Sequence, residues 1–142
     1  MPTTKTMLAT FALGAAIALG GSAAHAEQMK AMLDGKSEVP PNASAGTGTA
    51  DITYDPASKK LSWKLTYSGL TGPATAAHFH GPAEAGKNAG VAVPIPGAAN
   101  SPVEGSATLT DAQAADLLAG KLYVNIHTAT NPGGEIRGQV TK

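Results

Sequence analysis

The chain has 142 residues and no cysteine, and its 10 basic side chains balance its 10 acidic ones. That length fits one domain, the balanced charge excludes the basic footprint of a nucleic-acid binder, and the lack of cysteine excludes a disulfide framework. Aromatic residues make up 4 % of the chain, while Gly (17) and Pro (10) are abundant, a mixture that points to a small, turn-rich β domain packed mainly with aliphatic side chains.

Met1–Ala26 reads as a signal peptide. It carries one positive charge (Lys5), then an apolar stretch from Met7 to Gly20, then Ala24-His25-Ala26, a small-x-small cleavage pattern. The apolar stretch falls short of the ~20 residues that span a bilayer, and no second one follows. The expected mature chain is Glu27–Lys142, periplasmic or secreted, without a membrane span after cleavage. His25 leaves with the signal, so three histidines remain: His78, His80 and His127.

Strands are expected at Met29–Leu33 and, after the small polar loop Asn42–Gly48, along Ala50, Ile52 and Tyr54. Leu61–Tyr67 alternates without a break, with Leu61, Trp63, Leu65 and Tyr67 on one face. Asp55–Lys60 has turn chemistry, so these two segments form a hairpin. Further strands are expected at Thr75–His80, Val91–Ile95, Val103–Leu109, Lys121–His127 and Glu135–Val140. One helix of about nine residues interrupts them: Thr110-Asp111-Ala112-Gln113 matches a capping box and Gly120 stands at the C-terminal cap. It would cover one end of the domain through Leu117 or Leu118. Met29 and Met32 read as core filling. Eight short strands with Gly/Pro turns predict a mainly β protein, an antiparallel sandwich or barrel.

Alternation decides which way the histidines face. Placing Phe79 in the core turns His78 and His80 to the opposite face, about 6.5–7 Å apart at Cα, a spacing two imidazoles can bridge through one metal. In Leu122–His127 the aliphatic residues claim the core and turn Tyr123, Asn125 and His127 outward. Arg137 and Gln139 follow the same rule, with Glu135 before them. A His-x-His pair alone is common by chance, and an outward histidine is usually a solvated surface residue. A third histidine on the same kind of face, beside Asn125 and a Gly133-Gly134 turn leading to Arg137, raises the case for a metal. Three imidazoles with an open position suit one Zn²⁺ or Cu²⁺ ion, and the lack of cysteine argues against a thiolate site. Arg137 stays protonated and cannot be a ligand; its expected role, with Asn125 nearby, is to attract an anion to the open position. No Ser–His–carboxylate set and no nucleotide fingerprint occurs.

Three groups of residues resemble the CHRD domain, first described in chordin and found in small exported bacterial proteins. They are Leu33-Asp34-Gly35 with Glu38-Val39-Pro40-Pro41, Ala76–Ala83, and Leu117–Thr128 running into Asn131–Gln139. The resemblance covers essentially Glu27–Val140 and implies an immunoglobulin-like, Greek-key β-sandwich. A more distant likeness to copper–zinc superoxide dismutases lies in the order His78/His80, His127, Arg137. No bridging histidine stands between Gly81 and Val124, and no zinc-loop ligand set is present. The expectation is an exported CHRD-domain protein that holds one ion, copper or else zinc, through His78, His80 and His127, with no catalytic residue assigned. The competing expectations are a non-catalytic interaction module with an envelope protein as partner, and a copper-only dismutase-like enzyme.

Overall fold

The computed structural model describes Gly20 and residues 25–142, so the segment read as a signal peptide lies, apart from Gly20, His25 and Ala26, outside the described residues. The expected strands all form: β1 (Glu27–Asp34), β2 (Thr47–Asp55), β3 (Lys60–Ser68), β4 (Ala74–His80), β5 (Val91–Pro94), β6 (Val103–Thr108), β7 (Tyr123–Thr128) and β8 (Ile136–Gln139). Helix α1 (Asp111–Leu118) lies between β6 and β7, and its Thr110–Gln113 capping box is present in both directions. Leu117 is buried and Leu118 is not. Among the described residues no helix is long and apolar enough to cross a membrane.

All eight strands belong to one antiparallel sheet, in the order β5-β4-β7-β8-β1-β2-β3-β6. This corrects the sandwich expectation, since strands that would form two facing sheets are joined at a seam. There Asp34 of β1 pairs with Arg137 of β8, and Lys30 bridges to Thr141. Gly138 makes the seam possible. A Cβ at that position would lie 2.1 Å from the Met32 carbonyl oxygen, so only glycine allows the two backbones to approach this closely. The sheet then curls into a nearly closed, barrel-like shape. Its two ends face each other across the core, where Trp63 of β3 meets Phe79 of β4 edge-on at 5.3 Å. Helix α1 follows β6 directly and reaches the opposite edge strand, with Gln113 Nε2 donating to the Ala92 carbonyl of β5 at 2.9 Å.

In β1, β2 and β3 buried and exposed residues alternate, as strands with one wet face should. Met29, Ala31 and Leu33 point inward, which sends Met32 outward at 65 % exposure and corrects its reading as core. β7 and β8 behave differently, being buried along nearly their whole length. Their second face is covered by two loops, and that cover builds the site.

Candidate metal centre

Cross-strand pairing places the polar residues in rows on the covered face. His78 lies opposite Asn125, which in turn lies opposite Arg137; His80 lies opposite Tyr123, and Tyr123 opposite Gln139. His127 stands two residues beyond Asn125 on the same side of β7. The three histidines converge as expected, with one donor nitrogen from each lying within 4.8 Å of the others.

Backbone carbonyls fix two of the three imidazoles. His80 Nδ1 donates to the Ala89 carbonyl at 2.9 Å, and His127 Nδ1 donates to the Pro132 carbonyl at 2.8 Å. A carbonyl only accepts, so both rings carry a proton on Nδ1 and leave Nε2 as the nitrogen that can coordinate. His80 Nε2 is buried and has no partner. His78 Nδ1 lies 3.0 Å from His127 Nε2. Ligands 2.0–2.1 Å from a tetrahedral ion are about 3.3 Å apart, so this pair needs little adjustment. Burial holds the His78 imidazole below its ordinary pKa, and the neighbouring His127 and His80 push the same way. Burial also lowers His80, helped by His127 and Arg137, against the Ala89 carbonyl and the Asn125 side chain, which favour the charged form. Both rings are therefore neutral at neutral pH, the form a metal needs.

The loop from Gly81 to Gly90 covers the rows. Tyr123 Oη donates to the Ala89 carbonyl and accepts from the Ala89 amide, while its ring stacks on His80 at 5.0 Å. Arg137, read as solvent-facing, is instead buried. Its guanidinium lies 3.5 Å over the Tyr123 ring and donates to Asn88 Oδ1 and the Lys87 carbonyl. Gln139 Nε2 reaches the Ala83 carbonyl at 2.8 Å. The second covering loop follows β1, and Asn88 Nδ2 donates to its Val39 carbonyl at 3.1 Å.

Two carboxylates that sequence reasoning did not single out hold this arrangement. Glu135 is fully buried and accepts from Ser44 Oγ, Thr71 (amide and hydroxyl), Thr128 Oγ1 and Asn131 Nδ2. Burial alone would raise its pKa; the hydrogen bonds from Thr71, Thr128 and Ser44 outweigh that and hold it at about 2. Glu135 thereby anchors the turn whose Pro132 carbonyl orients His127. Glu38, in the loop after β1, is buried with Oε1 unpartnered. Burial pushes its carboxyl up to about 7, although Arg137 and the Val39 amide pull it down. Its only sequence signal was its place in the Glu38–Pro41 segment that carries the CHRD resemblance.

The model of the CHRD domain family matches residues 29–140. No curated protein and no solved structure matches the chain.

Proposed function

We propose that this chain, which belongs to the CHRD domain family, is an exported protein that holds one transition-metal ion on His78, His80 and His127. The observation that carries the reading is the convergence of three imidazole donors, two of them turned toward one point by backbone carbonyls. Three neutral imidazoles favour Cu²⁺ over Zn²⁺ by intrinsic affinity, so copper is the ion proposed, with zinc as its rival. Arg137 contributes positive charge beside His80, a field that favours an anion at the open position. Its own hydrogen bonds are committed to the covering loop. We assign no catalytic step to the site. Export rests on Lys5, the apolar Met7–Gly20 stretch and Ala24-His25-Ala26; protein from outside the cytoplasm should begin at or within a residue of Glu27 by intact mass.

A second reading is favoured by the direct His78–His127 hydrogen bond. It lets the cluster serve as a polar network within a non-catalytic envelope module. Calorimetric titration of the untagged protein with Cu²⁺ and Zn²⁺ separates the two. Dissociation constants below ~10 µM are expected, with far weaker binding in each single His→Ala variant. Failure to bind either ion, or a His127→Ala variant equal to the parent, would leave the second reading standing.

A further inference from the structure

Buried polar groups without partners are rare in folded proteins and call for an explanation. Three of those among the described residues, His80 Nε2, Asn125 Oδ1 and Glu38 Oε1, belong to one patch. Asn125 links the other two. Its side chain is within hydrogen-bonding influence of His80, and its Nδ2 faces the same point as Glu38 Oε1. A Cβ on Gly134 would lie 2.5 Å from Glu38 Oε1 and 2.7 Å from Asn125 Nδ2. Gly134, at φ +130°, thus leaves room for a buried carboxyl just behind the imidazoles, with Asn125 between.

Resting on the metal-binding reading above, we infer that Glu38 is the charge-compensating group of the centre, releasing its carboxyl proton when a divalent ion binds the three imidazoles. The O–H bond of the acid breaks, the carboxylate stays in place, and the proton leaves to solvent; nothing is oxidised or reduced. Glu38 lines two surface clefts, one with Lys36, Ser37 and Arg137 and the other with Pro132 and Gly134, so the proton has a way out. The charged and titratable groups around it are Arg137 on β8, Lys36 on its own loop, and the imidazoles on β4 and β7 beyond Asn125. Without the ion, Arg137 and the Val39 amide do not offset the cost of burying a second charge, and the carboxyl keeps its proton about half the time at pH 7. Two further positive charges nearby reverse that balance. Three neutral imidazoles carry no charge with which to prefer a divalent over a monovalent ion, and Glu38 supplies it.

The test is calorimetric titration of Zn²⁺ into the parent and into Glu38→Gln, each in two buffers of different protonation enthalpy. With a carboxyl pKa of about 7, roughly three quarters of Glu38 is protonated at pH 6.5. With the ion lowering the carboxyl pKa by one unit, the parent should release about 0.5 proton more per ion than the variant, a gap that closes by pH 8.5. At that pH the variant should bind Zn²⁺ about tenfold more weakly, the linkage equivalent of one pH unit. Equal proton release at pH 6.5 with Zn²⁺ bound to both proteins overturns the inference, whereas no Zn²⁺ binding by the parent overturns the metal centre beneath it. Should the variant not fold, the parent alone decides. The ¹³C carboxyl shift of Glu38 should titrate at least one pH unit lower with Zn²⁺ than without, and an unchanged midpoint refutes the role.

Discussion

Replacing Glu135 by glutamine tests how far one buried carboxylate holds the site's scaffold. In the folded chain its pKa is about 2 against an ordinary 4.5, so folding favours the ionised form. The stabilisation is complete above pH 4.5 and is lost as pH falls through 2. A gap of roughly 2.5 pH units at 1.36 kcal/mol each amounts to about 3 kcal/mol, a large share of the stability of a small domain. Glutamine keeps one acceptor oxygen but turns an NH₂ toward Ser44, Thr71, Thr128 and Asn131, all of which donate to Glu135. Urea unfolding followed by the fluorescence of Trp63, the single tryptophan, should place Glu135→Gln about 3 kcal/mol below the parent at pH 7. Near pH 3, where the native carboxylate begins to lose its advantage, the gap should shrink to about half. A variant within ~0.5 kcal/mol of the parent at pH 7, or a gap as wide at pH 3 as at pH 7, would show that these hydrogen bonds do not hold the charge.

Truncating Trp63 to alanine removes the ring that meets Phe79 across the core and should cost about 3–5 kcal/mol; a thermal midpoint within a few degrees of the parent would contradict that packing. Gly138→Ala drives a methyl into the Met32 backbone, so the β8–β1 seam should open, with amide exchange at Thr141 and Lys30 rising first, and normal protection at both amides would refute the close approach. Because burial lowers the His78 and His80 pKa values, both rings remain neutral somewhat below pH 6.5. In Glu38→Gln, where no carboxyl proton competes, Zn²⁺ affinity should accordingly hold to mildly acidic pH and fall below it; a loss already complete at pH 6.5 would indicate ordinary, solvated histidines.

The strands were legible because period-two alternation is strong from Leu61 to Tyr67 and recognisable elsewhere. The same rule placed His78, His80 and His127 on one face once Phe79, Val124 and Ile126 were given to the core. It also contradicts the reading of Met32 as core, since Met29, Ala31 and Leu33 already occupy the inward positions. Whether the strands form a sandwich or a curled sheet was not legible, because the difference is one seam whose contacts join residues about a hundred positions apart. Tyr123, Asn125 and Arg137 form a polar face that alternation assigns to solvent, and only the folding of two loops over it makes them buried. Glu38 and Glu135 were missed for the same reason. A carboxylate beside a turn looks solvated in sequence, and the donors around Glu135 come from three separate stretches of chain.

The sheet order also bears on when an ion can enter. β1, β2 and β3 are successive hairpins, whose local contacts form quickly. His78 and His127 are 49 residues apart, and they meet only when β7 pairs with β4, a long-range closure that comes at greater entropic cost. A chain that is still folding therefore offers at most the His78–His80 pair. On the proposed metal-binding reading, tight capture would follow closure, and a bound ion should slow unfolding far more than it speeds folding. The protein would then draw its metal from the compartment where the sheet closes, whatever ions the nascent chain met earlier.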